Sequence, residues 1–131
     1  MESDCKYLFV YGTLLSHNNE YASLLKNNSR FIAKGSLSGL LYNIGEYPGA
    51  LYDPAATERI YGDVLLLNND ADVLTNLDDY EGYGHNQPQP NEFIRVTLPV
   101  DTASGTIICQ VYLYNLPVTG YGQITSGRYN P

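Results

Sequence analysis

One helical segment lies among segments typical of β-strands, and this order of elements constrains the fold more than any other feature. The helix is predicted from an apolar stripe at helical spacing, which consists of Val73, Leu74, Leu77 and Tyr80. Asn69 or Asp70 can cap its start, and Gly82 can adopt the left-handed backbone that follows a helix end. The pattern therefore places Glu81 in the last turn of a helix or just beyond it.

Several segments on either side of this helix have the composition of β-strands. They are residues 6–11, 30–43, 50–52, 59–67, 93–100 and 106–114. Residues 6–11 are apolar on both faces, which indicates a central strand. Residues 30–43 are predicted to form one bent strand or two paired strands, with Gly35 and Gly39 at a bulge or a barrel corner. The last two segments flank a turn and are predicted to form a hairpin.

These elements predict one α+β domain over residues 1–131. The sequence contains about six strands and a second short helix at about residues 19–26. Long strands with internal glycines, and a helix inserted between strands, favour a small mixed β-barrel with two or more short helices. An open antiparallel sheet with helices on one face is the alternative. A chain of 131 residues is long enough to bury one core.

The formal net charge of -7 argues against nucleic acids and anionic membrane surfaces as partners, because no basic patch can neutralise phosphates. Cys5 and Cys109 are far apart in the sequence, so they indicate neither a disulfide framework nor a metal-binding motif. No signal-peptide pattern is present, and we expect a cytoplasmic protein. We also expect a monomer that binds a small molecule and needs no cofactor or metal.

Glu81 is the leading candidate for catalysis. A carboxylate at the end of a helix faces the negative end of the helix dipole, which favours its protonated form. If the apolar stripe also carries Glu81 toward the core, the loss of water raises its pKa further. A glutamate with a raised pKa can accept and return a proton near neutral pH, as general acid–base catalysis requires. The alternative is a surface glutamate beside a helix-capping glycine.

Two short motifs mark the first strand and the end of the helix. Y-G-T-L occupies residues 11–14, and L-D-D-Y-E-G occupies residues 77–82. Together they resemble the Y-G-[ST]-L and L-D-x-[FY]-E-G motifs of the γ-glutamylcyclotransferase-like family, which includes AIG2-like proteins and γ-glutamylamine cyclotransferase. The resemblance extends over nearly the whole chain. Further matches are Y-P-G-A at 47–50, G-D-V at 62–64, F-I-R at 93–95 and V-Y at 111–112.

The resemblance implies a small mixed β-barrel and a reaction that needs no cofactor. In that reaction the α-amine of a γ-glutamyl compound attacks its own γ-carbonyl, which forms 5-oxoproline and releases an amine. One group must take a proton from the α-ammonium and give one to the leaving nitrogen, and a carboxylate with a raised pKa can do both. Glu81 is therefore predicted to be the general base and acid. The leaving group stays open between an amino acid and another amine.

The loop after the first strand is predicted to bind the substrate. Consecutive backbone N–H groups at Gly12, Thr13 and Leu14 can form an anion-binding nest, which holds a carboxylate without a charged side chain. The same donors could stabilise a tetrahedral oxyanion. By resemblance, this loop holds the glutamyl end of the substrate. The residues assigned to substrate binding are therefore Tyr11, Gly12, Thr13 and Leu14.

Other polar and reactive residues receive structural roles. Arg95 is predicted to form a buried ion pair, with a substrate clamp as the alternative. Asp78 and Asp79 are predicted to cover the exposed face of the helix, because neighbours in sequence diverge on a helix. Cys109 alternates within a strand and is predicted to lie in the core.

The sequence departs from the family pattern at two places, and two other functional classes remain open. Phe93 replaces a tyrosine, which removes a hydroxyl group, and Arg128 and Tyr129 replace an Asp-Trp pair near the end of the chain. A non-catalytic small-molecule-binding module of the same fold would keep residues 11–14 but would not need an ionisable group at position 81. An interaction domain would present an exposed apolar patch instead of a cavity.

Overall fold

A computed structural model describes residues 5–12, 20–45, 47–68 and 70–129. Seven strands and two helices are formed by these residues. In chain order they are β1 (Tyr7–Val10), α1 (Glu20–Asn27), β2 (Ser29–Asn43), β3 (Pro48–Tyr52), β4 (Arg59–Leu67), α2 (Asp70–Glu81), β5 (Phe93–Thr102), β6 (Gly105–Tyr114) and β7 (Gly122–Gln123). Neither helix is long and apolar enough to cross a membrane.

Five strands close a small mixed barrel. β1 pairs with β4 in antiparallel and with β6 in parallel orientation. β6 pairs with β5, β5 with β2, and β2 with β4, all antiparallel, so the hydrogen-bonded path returns to β1. This arrangement confirms the predicted small α+β barrel and excludes the open antiparallel sheet. It also confirms that the first strand is central, since β1 has a partner on each side.

β2 is one continuous strand of 15 residues, and it pairs with β3, β4, β5 and β7. The register shift lies between Phe31 and Ala33, so the bulge does not occur at the glycines where the sequence suggested one. Gly35 instead occupies a corner of the barrel, because it lies opposite both Gly62 of β4 and Thr102 of β5. Because β2 is paired with β4 and β5 at this position, it passes through the corner as one continuous strand, and no turn interrupts it.

Gly62 allows two strands to approach closely. A Cβ atom at this position would lie 2.2 Å from the carbonyl oxygen of Val10, a distance that no side chain can occupy. The absence of a side chain at Gly62 therefore lets β4 pack against the end of β1. This contact fixes the end of β1, from which the chain continues into the predicted substrate-binding loop.

Two apolar clusters stabilise the barrel and attach the helices to it. One contains residues from all five barrel strands and from β3. It comprises Phe9, Leu37, Leu41, Ala50, Ile60, Val64, Val100, Cys109 and Val111. The other contains the helices and comprises Leu8, Val10, Leu25, Leu65, Leu67, Val73, Leu74, Leu77, Phe93, Tyr112 and Tyr114. Alternate residues of β1 belong to different clusters, as expected from the period of a strand. The predicted core position of Cys109 is confirmed.

The predicted helices and strands match the observed ones within two residues at their ends, and two further features differ. The helix stripe holds for Val73, Leu74 and Leu77, which are buried, but Tyr80 is 40% exposed and packs on Tyr21, with 4.5 Å between the ring centroids. Tyr80 therefore helps to join the two helices instead of entering the core. The short strand β7 was not predicted, because two residues carry no periodicity of their own.

Candidate functional site

The end of α2 is fixed by a C-terminal cap that positions Glu81. Gly82 adopts the left-handed conformation with φ of 77°. Its N–H donates to the carbonyl of Asp79 at 3.3 Å, and the N–H of Tyr83 donates to the carbonyl of Asp78 at 2.8 Å. These two bonds form a Schellman motif, which satisfies carbonyls that a helix end leaves free. Glu81 is therefore the last residue of the helix and has little freedom to move away.

Glu81 lies in the wall of a cavity of about 220 Å³. Five elements meet there: the end of β1, the start of β3, the end of α2, the start of β5 and the later part of β6. The lining residues are Phe9, Val10, Tyr11, Gly12, Tyr47, Pro48, Tyr80, Glu81, Glu92, Phe93 and Tyr112. A cavity lined mainly by aromatic and apolar groups, with a few carboxylates, is typical of a small-molecule site. It also argues against the interaction domain, which needs no cavity.

The Glu81 side chain is half-buried, and its pKa is raised from 4.5 to about 8. Burial is the largest cause, because loss of water disfavours the charged form. The negative charges of Glu92 and Asp78 raise the pKa further. Glu81 is therefore mostly protonated at neutral pH. It can lose and regain its proton within about one unit of physiological pH, as a general acid and base must.

Tyr11 and Gly12 reach the same cavity as Glu81. The hydroxyl of Tyr11 donates a hydrogen bond of 2.5 Å to the backbone carbonyl of Tyr112, and burial raises the pKa of this phenol strongly. At Gly12, a Cβ atom would lie 3.0 Å from Cγ of Pro48, so the glycine leaves space at the cavity wall. Thr13 and Leu14, also predicted to bind substrate, lie outside the described residues. Of the three residues of the predicted nest, only Gly12 belongs to the described part of the chain.

Asp78, three residues before Glu81 on α2, accepts three hydrogen bonds. Its two carboxylate oxygens receive Nε and Nη2 of Arg95 at 2.7 and 3.0 Å, and Oδ1 also receives the hydroxyl of Tyr112 at 2.7 Å. Arg95 is also bonded to Oε1 of Gln110 at 3.1 Å. The predicted ion pair of Arg95 is confirmed. The predicted position of Asp78 is wrong: its side chain is half-buried, while Asp79 is exposed, because Arg95 of β5 draws only Asp78 inward.

Glu92 is a second carboxylate of the cavity, and sequence reasoning did not identify it. It directly precedes β5 and accepts a short hydrogen bond from the hydroxyl of Tyr47. Burial and the neighbouring Glu92 charge raise the pKa of Tyr47. Phe93 packs between Tyr47 and Tyr114, with ring centroids 5.9 and 5.4 Å apart, so the position where the family pattern has a tyrosine is filled by an apolar contact.

The arrangement can perform proton transfer on a small, uncharged or cationic molecule. Glu81 can carry a proton, and Tyr11 and Gly12 at the end of β1 line the same cavity. In the part of the chain that the structure describes, no group of three or more His, Cys, Asp and Glu side chains could hold a metal ion.

The only signal in the sequence for Glu92 is its place immediately before a predicted strand, and that place does not connect it to Glu81.

Comparison with known proteins gives one family and several related folds. The family model described as gamma-glutamyl cyclotransferase, AIG2-like, matches residues 8–131. Gamma-L-glutamyl-butirosin B gamma-glutamyl cyclotransferase of Niallia circulans is 29% identical over 109 residues, which cover 82% of this chain and 66% of that protein. The chain therefore spans slightly less than two thirds of this curated relative.

Two solved structures share the fold. YkqA from Bacillus subtilis has a TM-score of 0.70 and 26% identity, and the match covers 95% of this chain and 39% of YkqA. An AIG2-like protein from Mus musculus has a TM-score of 0.64 and 23% identity, and the match covers 96% of this chain and 95% of the mouse protein. The barrel with its two helices is therefore a fold that other AIG2-like proteins also adopt.

Proposed function

This chain belongs to the gamma-glutamyl cyclotransferase, AIG2-like family, and we propose that it cyclises a γ-glutamyl amine or γ-glutamyl amino acid to 5-oxoproline. The free amine is the second product, and no cofactor takes part. The observation that carries this proposal is the carboxyl of Glu81, whose pKa is raised to about 8 inside the cavity. The relative from Niallia circulans, whose name describes a γ-glutamyl cyclotransferase, supports the same class of reaction.

Glu81 acts first as a base and then as an acid. Ionised Glu81 removes a proton from the α-ammonium, and the resulting amine attacks the γ-carbonyl carbon to form the five-membered ring. The carbonyl oxygen becomes an oxyanion. Glu81 then gives its proton to the leaving nitrogen, the bond from carbon to that nitrogen breaks, and the carbonyl forms again. The ring nitrogen loses its second proton to the released amine, which departs as an ammonium, and Glu81 is again ionised, so no other reactant is needed.

The end of β1 holds the glutamyl part of the substrate. Backbone N–H groups from Gly12 to Leu14 bind its α-carboxylate or stabilise the oxyanion, and Tyr11 contributes the wall beside them. The hydroxyl of Tyr11 already donates to the carbonyl of Tyr112, and this bond attaches the end of β1 to β6. Because attack is intramolecular, holding the folded conformer of the substrate in this way supplies much of the rate enhancement.

The test is release of 5-oxoproline from a panel of γ-glutamyl compounds by the wild-type protein and by Glu81→Gln. We expect release by the wild type and a decrease in kcat of at least ~100-fold in the variant, the magnitude of one general acid–base group. Glu58→Gln is the matched control, because Glu58 is an exposed glutamate outside the cavity lining, and it should retain activity. Wild-type activity in Glu81→Gln would refute the mechanism. Binding without release by the wild type would instead identify a binding module.

A further inference from the structure

Tyr80 presents an aromatic ring where the cavity opens to solvent. Five other aromatic residues line the same cavity, and they are Phe9, Tyr11, Tyr47, Phe93 and Tyr112. These five are buried or half-buried, whereas Tyr80 is 40% exposed. Among the described residues of the lining, Tyr80 therefore has the ring with the most surface that the protein itself leaves uncovered.

The ring of Tyr80 is held in place by a second ring that lies outside the cavity lining. Tyr21 of α1 packs on it, with 4.5 Å between the ring centroids and an angle of 36° between the ring planes. On α2, Leu77 lies one turn before Tyr80 and is fully buried, which fixes the helix below the ring. A ligand that contacts Tyr80 therefore meets a surface that is already ordered, and this lowers the entropy cost of binding.

Tyr80 lies beside the residue that releases the amine in the proposed function. Tyr80 and Glu81 are consecutive in the last turn of α2, and both line the cavity. Burial and then the charge of Glu81 raise the pKa of the Tyr80 hydroxyl. Glu81 gives its proton to the leaving nitrogen, while the glutamyl part lies at the end of β1. The leaving group therefore starts beside Glu81 and can extend along Tyr80 to the solvent.

We propose that Tyr80, held by Tyr21, forms a subsite for an aromatic group on the leaving amine. The preferred substrates are then γ-glutamyl derivatives of arylalkyl amines, in which a short carbon chain joins the nitrogen to an aromatic ring. Two aromatic rings in contact gain more than the burial of their area alone, so the subsite favours an aromatic ring over an aliphatic ring of the same size. This inference rests on the proposed function, because it takes Glu81 as the group that releases the amine.

The described lining of the cavity also favours an amine without a free carboxylate. Its ionisable acids are Glu81 and Glu92, and no described lysine, arginine or histidine lines it. The carboxylate of a leaving amino acid would therefore enter beside groups of like charge and find no cationic partner in this lining. A neutral aromatic ring needs no such partner, so an aryl amine is favoured over an aromatic amino acid.

The experiment compares two γ-glutamyl compounds that differ only in the ring of the leaving group. One is γ-glutamyl phenethylamide, and the other is γ-glutamyl cyclohexylethylamide, which carries a cyclohexyl ring at the same distance from the nitrogen. We expect the wild type to have a kcat/KM about fivefold higher for the phenyl compound. Tyr80→Leu should bring this ratio to about one, whereas Tyr80→Phe, which keeps the ring, should retain it. Tyr121→Leu is the matched control and should also retain it, because Tyr121 is likewise 40% exposed but does not line the cavity.

The outcomes separate this subsite from the proposed function. Equal wild-type rates for the two compounds would overturn the aromatic subsite and leave the cyclotransferase activity in place. A ratio that stays the same in Tyr80→Leu would also overturn it. Tyr80 would then act on the packing of the helices or on the glutamyl part, which both compounds share.

An NMR titration decides the subsite if no γ-glutamyl compound releases 5-oxoproline, in which case the proposed function fails, or if Tyr80→Leu does not fold. Each intact compound is titrated into Glu81→Gln, and the ring signals of Tyr80 are assigned by their change when Tyr80→Phe is added to this variant. A phenyl ring in contact with Tyr80 shifts these signals through its ring current. Larger shifts with the phenyl compound than with the cyclohexyl compound would support the subsite, and equal shifts or none would refute it.

Discussion

Glu81→Gln should change the pH dependence of folding as well as the activity. Glutamine has nearly the same shape as glutamate, so the cavity and the helix cap are kept while the titrating group is removed. Burial and the charges of Glu92 and Asp78 raise the pKa of Glu81 in the folded protein from 4.5 to about 8. In the unfolded chain the same carboxyl is surrounded by water and ionises at its ordinary pKa. Folding and ionisation of Glu81 are therefore coupled.

The sign of this coupling follows from proton binding. Between the two pKa values the folded protein holds a proton that the unfolded chain has released, so the free energy of unfolding decreases as pH rises. The contribution is present in full below about pH 4.5 and is lost as pH rises to about 8. Between about pH 5 and about pH 8 the loss is on the order of 3 kcal/mol. Glu81→Gln lacks this loss.

Urea unfolding at a series of pH values measures the effect. The free energy of unfolding of Glu81→Gln, minus that of the wild type, should increase by roughly 3 kcal/mol between about pH 5 and about pH 8. Other titrating groups are present in both proteins, so the difference isolates position 81. Glu58→Gln serves as the exposed control and should show no such increase. A difference for Glu81→Gln that is constant with pH would mean that Glu81 ionises as it does in water, and the proposed proton carrier would be lost.

Three further substitutions test the surroundings of Glu81. Asp78→Asn should move the acidic limb of the kcat/KM profile to lower pH than in the wild type, because the charge of Asp78 adds to the effect of burial in raising the pKa of Glu81; an unchanged limb would contradict this. The same variant should lower the free energy of urea unfolding by ~3 kcal/mol, since Arg95 loses its carboxylate partner. Tyr11→Phe should lower the free energy of unfolding by about 1 kcal/mol, because the hydrogen bond to the carbonyl of Tyr112 is lost. An unchanged urea midpoint would show that water replaces the missing hydroxyl. Gly12→Ala should raise KM with little change in melting temperature, because its Cβ would lie 3.0 Å from Pro48 at the cavity wall; unchanged KM would place the glutamyl group elsewhere.

A side chain at position 12 is restricted by the space beside Pro48 and not by the backbone conformation that a glycine in a turn often requires. The Gly12 backbone is not in the left-handed region, so an L-residue can adopt the conformation. The space beside the ring of Pro48 is what a side chain would occupy. A larger residue at position 12 is therefore expected to act on substrate binding more directly than on the backbone.

Local features of the fold could be predicted from the sequence, whereas its long-range pairings could not. The end of α2 was predicted because an apolar stripe and a capping glycine are local signals. β4 was predicted with its observed bounds, because residues 59–67 are rich in residues that favour strands and two asparagines follow them. The parallel pairing of β1 with β6 depends on residues about a hundred positions apart, such as Leu8 opposite Gln110, and nothing in either segment specifies it.

The candidate site shows the same division. Glu81 could be identified because the helix that carries it also fixes its position. Glu92 could not, since its contact with Tyr47 joins residues 45 positions apart. The predicted position of Asp78 was wrong for a related reason. Helical periodicity predicts the face of the helix on which a residue lies, but it does not predict the ion pair that Asp78 forms with Arg95 of β5. The partners of a charged group, unlike its secondary structure, are therefore decided by tertiary contacts.

The energetic cost of Glu81 is itself an argument for proton transfer. A carboxyl held in this cavity opposes folding above neutral pH by a few kcal/mol, a large fraction of the roughly 5–15 kcal/mol that stabilises most domains. A glutamine would line the cavity with similar shape and hydrogen-bonding groups and would avoid this cost. A protein that only binds its ligand gains nothing from an ionisable group here, whereas a cyclotransferase requires one that titrates near its working pH. The raised pKa of Glu81, caused by burial and by the charges of Glu92 and Asp78, therefore favours an enzyme over a binding module.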